Sequence, residues 1–383
     1  MLDLSIRSNW ILDRKTDDQT LVHLVRLLVA MHECASLAEA TRQSQVSYRN
    51  SWALLKKGEL MFGAPLAVMQ RGRGAALTPL GEKLVWAQHR VDARLAPIFA
   101  NLASEIGNEI AGVLSAQHHA LRIHASHGFA VETLCDMLAQ AVEFELQYRG
   151  SLASVVSLAN GNCDIAGFHV PIGEFEAPIL ERYAALLRRG PDRVIRLATR
   201  RQGLIVRKDC AGSITSLQDL TRSGVRFVNR GLTSGTRMLF DLMLQRERID
   251  ARAIYGYESI EDTHAAVAAV VASGMADACF GMERPARRFG LHFIPMVNEN
   301  GFLLTPAKSL VQPAVRTLLQ VLTGSAFRAL VNALPGYDAS RSGEILSLPE
   351  AFATWDKVTR VRQVEPHRSA PTLRARSSAP SIS

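Results

Sequence analysis

The chain has 383 residues, 44 Lys and Arg against 36 Asp and Glu, a formal net charge of +8 and a 48% hydrophobic content. That length suits two or three domains, and the composition supports ordinary buried cores, which excludes a fibrous or wholly disordered chain. The best candidate for a membrane span, AAVAAVVASGMADACF (265–280), reaches Asp277 after twelve uncharged residues, well short of a bilayer. The N-terminus, MLDLSIRSNWILDRK, has no continuous apolar stretch of the secretory kind. Five scattered cysteines without a CxxC (Cys34, Cys135, Cys163, Cys210, Cys279) predict core thiols in a reducing, cytoplasmic compartment.

The basic charge is uneven. Residues 41–94 hold nine basic and three acidic side chains, and residues 357–383 hold six and one. Local basic concentrations are where nucleic acid is held.

In chain order, Leu21, Leu24, Val25, Leu28 and Val29 repeat at helical spacing and predict one apolar helix face. Ser36, with Glu39 three residues on, predicts a capping box opening a short second helix. Ser47 predicts the cap of a third, SYRNSWALLKKGELMF, with Trp52, Leu55 and Phe62 on its apolar face and Ala53 and Leu60 near it. Three helices joined by short turns follow the helix-turn-helix plan. Next, AVMQRGRGAAL reads as a hairpin whose glycine-rich tip carries Arg71 and Arg73, able to grip phosphates. Thr78 then caps a long helix running to about residue 112.

From residue 119 the pattern alternates. ALRIHAS, FELQYRGS and CDIAGFHV read as strands separated by the helices VETLCDMLAQAVE and LASVVSLANG. VIRLATRRQGLIVRK gives two more extended runs. GVRFVNRG reads as a strand, SGTRMLFDLMLQRERI as a helix, and ADACFGM and LHFIPMV as the last strands. This is a mostly parallel α/β sheet, best divided into two lobes joined by crossover strands: 119–197 plus 291–350 against 198–290. Ligands of such sheets lie where strands end and helices begin. Three such points are ASHG (125–128), GS (150–151) and TSGTR (233–237).

NRGLTSGTR (229–237) has no G-K-[ST] and is not GxGxxG, so it is neither a Walker A loop nor a dinucleotide fingerprint. It suits an anion: Gly231 and Gly235 allow close backbone approach, Ser234 or Thr236 offers a hydroxyl, and free helix amides point outward. Arg237 stands as a charge partner for that anion or points to solvent, and plain helix capping is the other use of the Ser and Thr. HHALRIHASH (118–127) does not bring its histidines together for a metal, because strand alternation puts His124 on the face opposite Leu121 and Ile123. HEC at 32–34 is not HExxH, and no nucleophile elbow or positioned carboxylate pair occurs; Glu132, Asp136 and Glu143 read as a solvated face. No catalytic set, metal or cofactor is expected, and the chain reads as a non-enzyme.

Residues 21–84 resemble the winged helix-turn-helix of LysR-type and molybdate-responsive ModE-type regulators, through SLAEATRQSQVSYRNSWALLKKGELMFGAPLAVMQRGRG and LTPLGEKL. The resemblance implies that Ser47, Tyr48, Arg49 and Asn50 start the recognition helix, that Arg71 and Arg73 sit on the wing, and that the following helix pairs two subunits. Whether Arg49 would read a base or a phosphate stays open. Residues 119–305 look like the binding-protein-like domain fused to ModE-type heads and also attached to molybdenum-cofactor biosynthesis proteins. By resemblance, Ser126, His127, Ser151, His169, Ser234, Gly235, Thr236 and Arg237 are ligand-site residues, with Thr263 a further candidate. Gly128 stands where that family has an acidic residue, and Gly231 where a glutamine is usual.

The expectation is therefore an α/β protein with an N-terminal all-α winged helix-turn-helix and a two-lobed type II periplasmic-binding-protein-like domain. Its parts are a DNA-binding domain at 1–80, a linker and dimerisation helix at 81–118, a ligand-sensing domain at 119–350 and a disordered basic tail at 351–383. The implied function is a cytoplasmic one-component transcription regulator, a homodimer or dimer of dimers that binds operator DNA and a small effector such as molybdate or tungstate. The alternatives are a DNA-binding regulator with a vestigial pocket and an enzyme of molybdenum-cofactor metabolism.

Overall fold

The computed structural model describes residues 4–11, 18–34, 36–70, 74–114, 120–188 and 190–364. Three helices open it: α1 (Asp18–Glu33), α2 (Leu37–Gln43) and α3 (Tyr48–Phe62). Ser36 Oγ accepts the Glu39 amide at 3.2 Å and Ser47 Oγ accepts the Asn50 amide at 3.3 Å, so both serines cap their helices, the first by the serine half of the expected capping box. The hairpin β1 (Ala67–Gln70) and β2 (Gly74–Leu77) follows, and α4 (Pro79–Leu114) runs on for 36 residues. Thr78 Oγ1 caps α4 through the Gly81 amide at 3.2 Å and donates to the Pro65 carbonyl at 2.7 Å. The head buries Leu21, Leu24, Val25 and Leu28 of α1 against Leu54, Leu55, Leu66, Leu84 and Val85. Leu84 and Val85 belong to α4, so its first turns are part of the head's core.

The buried face of α3 differs from the expected one. It is Ser51, Leu54, Leu55 and Gly58, while Leu60 is exposed and Trp52 and Phe62 are half-buried. The cause is Gly58. A Cβ there would sit 2.7 Å from side-chain atoms of Leu24 and Leu66, so the small residue lets α3 approach α1 and rotates the bulky apolar residues outward.

The rest is a winding of β3 (Leu121–Ala125), α5 (Phe129–Leu138), β4 (Phe144–Tyr148), α6 (Ser151–Ala159), β5 (Ile165–Pro171), α7 (Glu176–Tyr183), β6 (Asp192–Val206), β7 (Phe227–Arg230), α8 (Gly235–Glu247), β8 (Ile260–Glu261), α9 (His264–Ala272), β9 (Ala278–Met282), α10 (Glu283–Arg288) and β10 (His292–Pro306). These strands form one curled sheet in the order β4-β3-β5-β10-β6-β9-β7-β8. β3 is parallel to β4 and β5, and β7 is parallel to β8 and β9. The two extended runs expected in 194–208 are one continuous 15-residue strand, β6, antiparallel to the equally long β10. These two strands run through both lobes and are their only sheet connection among the described residues. The lobes have separate cores, with Leu121, Ile123, Leu134 and Leu303 on one face of the first and Phe227, Leu239, Phe240 and Phe280 on one face of the second.

The first lobe is completed by α11 (Pro313–Thr323), α12 (Ser325–Asn332), α13 (Leu348–Ala351) and α14 (Trp355–Val364). The tail expected to be disordered from 351 is thus helical through Val364. Phe352, Trp355 and Val358 recur at three-residue steps and are buried on the first lobe, which anchors the segment. Residues 365–383 lie outside the described residues. Cys135, Cys163 and Cys279 are buried, whereas Cys34 and Cys210 are half-buried rather than core. Among the described residues no helix is long and apolar enough to cross a membrane.

Candidate ligand cleft and DNA-binding surface

A cavity of about 300 Å³ opens between the lobes at the strand ends. The sequence-derived residues Ser126, His127, Ser151, His169, Ser234, Gly235, Thr236 and Thr263 all line it. Topology explains the convergence: β3, β4 and β5 end on one side of the cleft and β7 and β8 on the other, each followed by a loop or helix start. The helices α5, α6 and α8 begin at Gly128, Gly150 and Ser234, none of which makes a side-chain capping bond. The first-turn amides of α6 and α8 therefore remain available at the cavity. The lobes are close along this edge: a Cβ on Gly150 would lie 3.1 Å from the Thr233 carbonyl oxygen.

Arg237 is a correction. It does not line the cavity and does not reach solvent. Its guanidinium is buried, pairs with Asp241 at 2.9 Å and lies 4.1 Å from the Tyr257 ring centroid. One turn into α8, its side chain is taken up by Asp241 at i+4, the Tyr257 ring and the Arg230 carbonyl at 3.4 Å rather than by the cavity. Glu132 is a second correction: it is not simply a solvated face residue but pairs with His127 at 2.9 Å, and although burial raises its pKa, the His127 bond and charge together with the Arg284 and Arg288 charges hold it below the usual carboxylate range.

The buried cations of the cleft are Arg200 and Arg230, which sequence reasoning did not single out. Arg200 is buried on β6 and pairs with Glu299 on β10 at 2.8 Å; Gln202 donates to the same carboxylate at 2.6 Å. Arg230 ends β7. Its Nη2 donates to the Asp262 carbonyl at 2.7 Å, while its Nε and Nη1 are buried with no partner among the described residues. Burial, with Arg200 nearby, lowers its pKa to about 10, so it stays protonated at neutral pH. The available signal was an arginine closing the strand FVNR just before the glycine-rich loop.

His169 and His264 do not add charge. Burial, then the Arg200 charge, holds His169 well below the usual imidazole range, and its Nδ1 lies 3.2 Å from Ser126 Oγ. His264, the first residue of α9, is held low by burial and by Arg230 and Arg200. Gly231 also has a local reason: a Cβ there would come within 2.9 Å of Asp262 Oδ1, so a glutamine would displace that carboxylate. Gly128 faces Arg200, whose Nη1 would be 3.5 Å from an added Cβ. Among the described residues no group of three or more His, Cys, Asp or Glu could hold a metal ion; His118 and His119 lie outside them.

A third wall comes from α4, through Arg94, Pro97 and Ile98. Nothing in its sequence signals this placement.

On the head, Ser47, Tyr48, Arg49 and Asn50 are exposed at the start of α3. Arg71 and Arg73 lie outside the described residues, between β1 and β2.

Residues 135–323 match the PBP superfamily domain. The uncharacterized protein YvgK of Bacillus subtilis (strain 168) is 29% identical over 220 residues, 55% of this chain and 70% of that protein. An uncharacterized protein in the ferredoxin 2Fe-2S gene 5′ region of Clostridium pasteurianum is 30% identical over 111 residues, 29% of this chain and 98% of that protein. The molybdenum-pterin-binding protein MopB of Rhodobacter capsulatus is 27% identical over 140 residues, 35% of this chain and 51% of MopB. Among solved structures, the full-length LysR-type regulator LysG of Corynebacterium glutamicum is similar at a TM-score of 0.37 and 16% identity, over 78% of this chain and 94% of LysG.

Proposed function

The chain belongs to the family of the Clostridium pasteurianum protein and carries a PBP superfamily domain, and from that premise we propose that it is a one-component transcription regulator whose two-lobed domain senses a small anion. The observation that carries the anion is Arg230. A protonated guanidinium with two buried, unpartnered nitrogens, Nε and Nη1, is costly by itself, and an oxyanion is a partner suited to both. Free first-turn amides of α6 and α8 and the hydroxyls of Ser126, Ser151 and Thr236 supply further donors at the same cavity. With His169 and His264 held neutral, the buried positive charge of the site is that of Arg200 and Arg230.

Molybdate and tungstate are the first effectors to try, since a relative is named for binding molybdenum-pterin. A small organic acid is the second reading, supported by the apolar wall of Pro97, Ile98 and Tyr148. The head supplies the DNA-binding half, with the exposed residues 47–50 entering the major groove and the basic hairpin gripping phosphate.

The test is thermal unfolding and calorimetry of the full chain with molybdate, tungstate, sulfate, phosphate and small carboxylates. A ligand at about 100 times its dissociation constant adds about 2.7 kcal/mol and raises the midpoint by a few degrees. Absence of any shift across the panel would remove the anion-sensor reading.

A further inference from the structure

We propose that α4 both walls the ligand cleft and transmits its occupancy to the head, with Pro97 as its hinge. This rests on the cleft being a ligand site.

The helix is held by both lobes at once. Toward its N-terminus it is anchored to the second lobe: Lys83 Nζ donates to the Ser273 carbonyl at 2.8 Å, and Arg94 pairs with the buried Glu261 through two N–H groups. Ring contacts of Trp86 and His89 with Phe289, centroids 5.5 and 5.3 Å apart, add to this grip. Further along it is anchored to the first lobe. Asn101 Oδ1 accepts the Tyr148 amide at 2.6 Å and Asn101 Nδ2 donates to the Tyr148 carbonyl at 3.2 Å, while Ser104 Oγ accepts the Leu146 amide at 3.1 Å. These bonds occupy the free side of β4, the edge strand of the sheet.

Pro97 falls between the two anchor sets. It has no amide hydrogen, so the carbonyl four residues back, that of Ala93, has no helical donor. Thr263 fills the gap: its hydroxyl donates to the Ala93 carbonyl at 2.8 Å. The same oxygen accepts the Ala266 amide at 3.0 Å and so caps α9 at the cavity. One hydroxyl thus joins a ligand-facing helix start to the break in α4. Closing of the lobes about β6 and β10 changes the separation of the anchor sets. The helix follows by bending where its ladder is interrupted, and the head moves with it because Leu84 and Val85 are in the head's core.

The test is hydrogen exchange of the full-length protein. Without anion, Thr263→Val speeds exchange over residues 90–104 by at least about tenfold, whereas Thr263→Ser stays near wild type. Unchanged exchange in T263V overturns the latch. With sodium molybdate as probe, the wild type gains protection at residues 126–131 and 231–238 and also changes at 18–34. Asn101→Ala keeps the cleft response and loses most of the head response; in Pro97→Ala the head response falls relative to that of the cleft. A head response in N101A equal to wild type overturns transmission through α4. If molybdate leaves the wild-type cleft unprotected, molybdate is what fails as the effector, and the latch is decided by the anion-free comparison.

Discussion

Arg200 and Glu299 are register partners on β6 and β10, and their side chains form an ion pair of 2.8 Å inside the strand pair that joins the lobes. Burial alone would weaken the Arg200 charge; the Glu299 carboxylate and the Tyr337 side chain together more than compensate and raise its pKa. Removing one member leaves the other as an uncompensated buried charge, which costs about 3–5 kcal/mol. Glu299→Gln should therefore lower the stability of the full chain by about that amount in urea unfolding. An anion that binds the cleft should restore part of it by pairing with the released Arg200. A loss below about 1 kcal/mol would show that water relieves the site and that the pair is not held dry.

Arg230 should behave in the opposite way. Its two unpartnered nitrogens are desolvated without return, a penalty of about 1–3 kcal/mol. Arg230→Met should leave the anion-free protein as stable as wild type or more so, while abolishing the stabilisation that anions confer. Stability traded against function in this direction marks a binding residue. If R230M unfolds earlier and still responds to anions, the guanidinium is structural.

The difference between these two arginines also marks what could be read from the sequence. Helix starts, caps and strand ends follow from local chemistry, so Ser36, Ser47 and Thr78 cap as expected and the loops at Ser126, Ser151 and Ser234 meet at one cavity. Which way a long side chain turns is a tertiary matter. Arg237 lies beside the site in sequence and is drawn away by Asp241 and Tyr257, while Arg94, far away in sequence, is brought to the cavity by the docking of α4. Gly58 shifted the face of α3 through contacts with Leu24 and Leu66 that no periodicity encodes. Gly81 is a similar case, since a Cβ there would overlap the Leu66 carbonyl oxygen, giving the glycine of LTPLGEKL a packing role.

Stability should fall with pH in a window set by His169 and His264. Both are held neutral in the fold, well below the usual imidazole value, by burial first and by the arginine charges next. Below about pH 6.5 the unfolded chain binds protons that the folded chain refuses, so unfolding becomes easier as pH drops. Each histidine contributes about 1.4 kcal/mol per pH unit there, and the effect is absent above that window. Urea unfolding at pH 7.5, 6.5 and 5.5 measures it, and His264→Gln should reduce the slope. A flat profile would mean that the imidazoles charge in place, with water or an anion admitted to the cleft.

The head makes a separate prediction. Arg49 is exposed at the start of α3, and Arg71 and Arg73 fall in sequence between β1 and β2. Removing one phosphate-neutralising side chain reduces the slope of log affinity against log salt by about 0.9. Arg71→Ala with Arg73→Ala should therefore weaken binding to any duplex and lower the slope by about 1.8, with little change in sequence preference, because phosphate contacts position without specifying. Arg49→Ala discriminates between its two roles. If Arg49 reads a base, the substitution costs about 1–3 kcal/mol on the preferred sequence and almost nothing on unrelated DNA; if it holds a phosphate, binding to both weakens equally. Fluorescence anisotropy over a salt series with both kinds of duplex separates these outcomes, and an unchanged slope in the double variant would remove the hairpin from the DNA interface.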